Sequence, residues 1–147
     1  MRSFFDTNIL VYTHRAEAPD HSRAREALEE LGRRPQAWTV PWPCVHEFLA
    51  IVTHPRIWSP PTPLEIALDA VRGWFEASGF EPIGEGADHL DVLAETLVAG
   101  RAVGPRVHDG RIAAICEAHG VQELWSADRD FGRFRITTVN PILDGAS

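Results

Sequence analysis

Residues 2–12 read RSFFDTNILVY, and the acid in the middle of that stretch decides how the chain is built. Phe4 and Phe5 run straight into Asp6, and the apolar pattern resumes at once with Ile9, Leu10 and Val11. A short buried strand over residues 2–5, followed by a helical turn over 7–13, accounts for the pattern. It leaves Asp6 at the carboxyl end of the strand, where open α/β sheets place their ligands. A strand that begins at residue 2 leaves no room for a signal peptide ahead of it. No stretch approaches the ~20 apolar residues that span a bilayer. The expectation is a soluble, cytoplasmic protein with no membrane partner.

Working outward, ELW at 123–125 is a second strand that ends in an acid, since Asp128 follows after only Ser126 and Ala127. Between the two lie a helix over 20–34, with Ala24, Ala27, Leu28 and Leu31 at helical spacing, and a strand at AWTV, 37–40. Pro41 and Pro43 introduce the helix CVHEFLAIVTH, which is apolar round most of its circumference and is therefore expected to be buried. PRIWSPPTP is a loop by its prolines. A helix over 63–77, a strand over 80–83, a helix over 87–99 and a helix over 107–119 stopped by Gly120 follow. DFGRF is a turn and RITTV a last strand. Strands alternating with helices indicate one α/β domain, residues 1–147, with a parallel sheet covered on both faces.

The net charge of −7 excludes a surface coated in positive charge for nucleic acid, though not a local basic groove. All 14 basic residues are arginine. Without lysine there is no phosphate-binding Gly-Lys-Ser/Thr loop and no Schiff-base chemistry. Cys44 and Cys116 both sit in apolar helical contexts and read as buried, reduced thiols.

Four carboxylates concentrate at one end of this plan. Asp6 and Asp128 share a sheet edge, although either could simply cap the helix that follows it. Glu47 lies in the apolar helix, where a buried charge must be neutralised, paired or bound to a cation. Asp109 heads an apolar stripe continued by Ile112, Ala113 and Cys116, while also suiting the positive end of its helix. Clustered carboxylates repel, and a hard divalent cation with oxygen ligands resolves the repulsion. Mg²⁺ with water and phosphate oxygens completing its shell is the arrangement of phosphodiester hydrolysis.

FFDTNILVY, the Glu of CVHEFLAIV, the Asp of VHDGRIAA and SADRDF together resemble a PIN domain, and more narrowly the toxin ribonucleases of VapBC-type toxin–antitoxin pairs. The match runs in order over essentially the whole chain. The resemblance implies a three-layer αβα sandwich with a central, mostly parallel sheet of four to five strands. It also implies an endoribonuclease dependent on Mg²⁺ or Mn²⁺, a VapB-type antitoxin, an RNA substrate and a homodimer. It places Asp6, Glu47, Asp109 and Asp128 as catalytic residues and metal ligands, supported by Asn8, Ser126 and Asp130. A small-substrate phosphohydrolase and a non-catalytic binding domain are the alternatives from other classes.

HEFLA at 46–50 lacks the second histidine of a zinc-protease motif, because residue 50 is alanine. His46 and His108 adjoin proposed ligands without being read as ligands. Arg101, Arg106, Arg111, Arg129, Arg133 and Arg135 are candidates to flank the acidic edge and hold RNA phosphates. Trp42 and Trp58 either stack bases, dock a partner or pack internally.

Overall fold

The computed structural model describes residues 2–33, 38–77, 79–126 and 129–140. In it the strand read from RSFF takes an inner position in the sheet. β1 (Arg2–Phe5) pairs in parallel with β2 (Trp38–Thr39) on one side and β3 (Val121–Trp125) on the other, and β4 (Thr137–Val139) adds in parallel to β3. The order β2-β1-β3-β4 is that of a parallel four-stranded sheet. The strand expected at 80–83 is reduced to two isolated bridges, Trp38 to Phe80 and Pro41 to Ile83. Pro41 and Pro82 carry no N–H, so a continuous ladder cannot form there.

The helices are α1 (Thr7–His14), α2 (His21–Arg33), α3 (Trp42–Val52), α4 (Leu64–Glu76), α5 (His89–Gly100) and α6 (Arg106–Ala118), with a 3₁₀ turn at Arg129–Arg133. They cover the sheet as an α/β three-layer sandwich. Ser3, Phe4 and Phe5 are all buried, as a strand covered on both faces requires. They pack with Ile9, Leu10, Val45, Phe48, Ile115 and Leu124 in one core cluster. Cys44 and Cys116 are buried free thiols, as expected. Among the described residues no helix is long and apolar enough to cross a membrane.

α3 departs from the sequence reading. Pro43, Cys44, Val45, Phe48 and Val52 face inward, but Trp42, His46, Glu47 and Ala50 are exposed. The helix reads as apolar round most of its circumference because its outer face mixes an indole and an alanine, which both tolerate exposure, with its two polar side chains.

The far end of α1 is fastened separately. The Arg15 guanidinium is buried and donates to both carboxylate oxygens of Glu17, to the Thr62 hydroxyl and to the Pro60 carbonyl, all at 2.8–2.9 Å. Its carbon centre lies 4.7 Å from the centre of the Trp58 ring. The proline loop is thereby tied to α1, and Trp58 is a packing residue.

Gly110 lets α6 approach α5, and Gly100 lets α5 approach the ring that follows the 3₁₀ turn. A β-carbon on Gly110 would meet Leu97 at 2.3 Å, and one on Gly100 would meet the Phe134 ring at 2.7 Å. The leucine tip can turn away, but the ring edge is held in the core. Gly100→Ala should therefore cost about 1–3 kcal/mol and lower the melting temperature by roughly 5 °C. Adding Phe134→Leu, which removes the obstructing ring, should give a double variant less destabilised than the sum of the singles. Strict additivity in thermal melts would show that the contact is not the cause.

Candidate active site

Backbone pairing at the carboxyl edge of the sheet positions the first acid. The Asp6 N–H donates to the Trp125 carbonyl at 2.9 Å, and the Ser126 N–H donates to the Val139 carbonyl at 2.9 Å. Asp6 and Ser126 therefore stand side by side where β1 and β3 end. Asp6 is extended, with φ −73° and ψ 162°, and is the N-cap of α1. Its side chain is 6% exposed. Oδ1 accepts from the Thr7 N–H at 2.8 Å, and Oδ2 accepts from the Ser126 hydroxyl at 2.9 Å. The Asn8 amide lies 3.5 Å from Oδ2 and 3.3 Å from the Ser126 hydroxyl. The capping role weighed for Asp6 is thus real. It does not exclude a metal, since an ionised carboxylate has about four acceptor positions.

Beneath Asp6, the Cys44 thiol points at Oδ1 from 3.8 Å. Burial, and then the Asp6 charge, push this thiol well above its ordinary pKa, so it stays neutral and serves as a weak donor. The Thr7 hydroxyl is also buried here and makes no hydrogen bond of ordinary geometry. It nevertheless sits close enough to Cys44 and Glu47 to draw both of their pKa values down.

α3 and α6 form the second wall. Glu47 is exposed overall, which corrects the expectation of a buried charge. Protein packed round its carboxyl group still displaces enough water to raise its pKa above the usual carboxylate range. Thr7 opposes that rise, Asp109 adds to it, and His108 offsets part of it. Asp109 lies in the first turn of α6, as expected, with its side chain 22% exposed. Arg106, one turn earlier, reaches to 3.8 Å from its carboxylate. Arg111 is paired with Glu85 at 2.7 Å. Arg133 and Arg135 line a cleft of about 650 Å³ with Glu95 and Glu117, and Asp6, Glu47 and Asp109 are not among the described residues that line it. The arginines therefore do not gather as one group round the acidic edge.

Asp128 lies outside the described residues, and Asp130 falls in the 3₁₀ turn. Among the described residues no three His, Cys, Asp or Glu side chains close round a single point. The donors present are nonetheless suited to a hard cation. Glu47 and Asp109 repel one another, the Thr7 hydroxyl between α1 and α3 has an unused oxygen, and Mg²⁺ needs only one or two carboxylates from the protein. Sequence reasoning missed Thr7 and the Cys44 contact. Thr7 gave the only signal, as a hydroxyl directly after a strand-end acid.

The profile of the PIN domain family matches residues 3–136. Ribonuclease VapC48 of Mycobacterium tuberculosis is 30% identical over 146 residues, covering 99% of this chain and 100% of that protein. VapC ribonuclease Mb2897 of Mycobacterium bovis is 31% identical over 140 residues, 95% of each chain. Among solved structures, the VapBC2 complex of Rickettsia felis bound to a promoter DNA fragment aligns with a TM-score of 0.69 at 19% identity, over 95% of this chain and 98% of that one. VapC20 of M. tuberculosis, a Sarcin-Ricin loop cleaving toxin, aligns with a TM-score of 0.65 at 17% identity, over 88% and 92%. At these identities the structural likeness speaks for the fold.

The raised Glu47 pKa has a measurable sign. The folded state holds this proton more tightly than the unfolded chain does. Below the ordinary carboxylate range both states are protonated and nothing is lost. As pH climbs from that range through the raised value, stability falls, and the deficit persists above it. In chelator, Glu47→Gln should therefore gain in melting temperature relative to wild type on going from pH 4 to pH 7. A difference between the two proteins that does not change with pH would contradict the assignment.

Proposed function

We propose that this chain, which belongs to the PIN domain family and within it to the VapC ribonucleases, is the endoribonuclease toxin of a toxin–antitoxin pair, hydrolysing RNA with Mg²⁺ or Mn²⁺ at its acidic edge. The observation that carries the reading is the buried carboxylate of Asp6, anchored by the Thr7 N–H and the Ser126 hydroxyl at the carboxyl edge where β1 and β3 end. Asp6, Glu47, Asp109 and Asp128 are the residues that would hold the ion. When bound, it supplies Lewis acidity and charge neutralisation at the scissile phosphate.

The chain's own side chains do the positioning. Ser126 and Asn8 fix the Asp6 carboxylate in one orientation, and Thr7 sits where an oxygen ligand or ordered water would meet it. Arg106, already drawn towards Asp109, can turn to a phosphate oxygen when RNA approaches. In the reaction water adds to phosphorus, the bond from phosphorus to the leaving sugar oxygen breaks, and that oxygen takes up a proton. Asp130 stands in the 3₁₀ turn as a supporting acid.

The partners follow from the same surface. A site of clustered carboxylates is silenced most directly by a cationic side chain, so the VapB-type antitoxin inhibits by placing an arginine against it. The likeness to the VapBC2 complex of Rickettsia felis supports such a partner. An RNA substrate and an antitoxin partner would both be met in the cytoplasm, which supports that location. Leu90, Val98 and Val103, 76–78% exposed, support self-association into a homodimer. Sedimentation at tens of micromolar, an order-of-magnitude concentration for a modest interface, should show a dimer, and a monomer there would remove that claim.

The central test is RNA cleavage by purified protein. Chelation should abolish it and Mg²⁺ or Mn²⁺ restore it. Asp109→Asn should keep its melting behaviour and lose on the order of 100-fold or more in rate. A folded Asp109→Asn protein that cuts RNA at the wild-type rate would sink the mechanism.

A further inference from the structure

Of the five tryptophans, Trp38 and Trp125 are buried at 5% exposure, while Trp58 and Trp74 are partly covered by Arg15 and Phe48. Trp42 differs, with 40% of its surface open to solvent. It stands on the first turn of α3, where its main-chain N–H donates to the Ile83 carbonyl at 2.9 Å. Its spacing of four places His46 on the same face one turn along, with ring centres 6.1 Å apart, and Glu47 is the next residue. The indole, the imidazole and one of the site carboxylates thus share the exposed arc of one helix.

The indole is exposed but braced. Phe75 lies against it at 5.4 Å between centroids, Phe80 against Phe75 at 4.9 Å, and the buried Trp38 against Phe80 at 4.7 Å. This aromatic stack roots the exposed ring in the core. On its other side Gly84 leaves so little space that a β-carbon there would lie 3.2 Å from the Trp42 Cδ1. The next residue, Glu85, is paired with Arg111 on α6, two positions beyond Asp109. The indole is therefore fixed relative to both walls of the acidic site. A rigid aromatic face costs little entropy to use and accepts any base.

We propose that Trp42 is the base-stacking shelf of this site, receiving an unpaired nucleobase next to the phosphodiester that is cut. The proposal rests on the ribonuclease reading and adds a residue that selects unpaired RNA. A base held in a duplex cannot leave its stack without loss, whereas one in a loop or single strand is free to lie on the ring. His46, beside the indole, extends the shelf towards Glu47.

The test compares wild type with Trp42→Phe, which keeps an aromatic face, and Trp42→Leu, which keeps the apolar brace for Phe75 without one. Binding of a fluorescein-labelled single-stranded RNA of mixed sequence is measured by anisotropy in chelator, and cleavage of the same RNA in Mg²⁺. Trp42→Leu should weaken binding about tenfold and raise KM by a similar factor with kcat little changed, while Trp42→Phe should stay close to wild type. A series of RNAs with one abasic position each should reveal one nucleotide whose base matters to wild type and not to Trp42→Leu. A folding defect would lower kcat together with binding, so an unchanged kcat in Trp42→Leu separates loss of the shelf from loss of the fold. Wild type that neither binds nor cuts RNA would overturn the ribonuclease reading itself. Wild type that cuts RNA with no sensitivity to an abasic position, or Trp42→Leu that binds RNA normally and loses only antitoxin affinity, would overturn the shelf and assign the surface to a protein partner.

Discussion

The buried carboxylate of Asp6 is the constraint to which the other parts of the site are fitted. A charge taken out of water is costly unless hydrogen bonds replace the water. Here the replacements come from the first N–H of α1 and from the hydroxyl that follows β3. Both donors are available only when β1 and β3 are paired in register and α1 leaves the strand at the observed angle. The cost of burying Asp6 without them excludes slipped pairings that a run of phenylalanines alone would tolerate.

The acids of the site are therefore unequal. Asp6 is held from several sides and has a neutral thiol beneath it, so it has little freedom to move. Glu47 and Asp109 stand nearer the solvent on two different helices, where they repel each other and are partly relieved by His108 and Arg106. A buried, firmly held acid at the base and more exposed acids at the rim suit a site that must accept a bulky polyanion. The helix that bears Glu47 also carries the one indole that the fold leaves largely open, so the proposed recognition and the proposed chemistry share one element.

Most of this was legible in the chain where a local pattern had a single physical reading. Strand–acid–helix at FFDTN, the helix opened by VHDG and the termination at Gly120 each follow from neighbouring residues alone. The limits of β2 and the reduction of residues 80–83 to bridges depend on which backbone groups meet across the sheet, and two prolines decide it. Glu47 was misjudged because composition cannot tell an exposed tryptophan or alanine from a buried one. Which arginines face the acidic edge was equally hidden. Arg106 and Arg111 share a helix with Asp109, whereas Arg133 and Arg135 are carried off to another cleft by the 3₁₀ turn.

The sheet order also governs when the protein can act. β1 is separated from β3 in the sequence by α1 to α6 and β2, yet β3 is one of its two neighbours in the sheet, and the bond from Ser126 to Asp6 closes across 120 residues. Contacts of such long separation form late, after the entropy of closing the intervening chain has been overcome. A nascent chain holding all of α1 to α5 would still lack the helix that carries Asp109 and the strand that steadies Asp6. The acidic edge thus comes together only when the later elements of the sequence have joined the sheet, so whatever recognises that edge meets a folded surface and not an unfinished one.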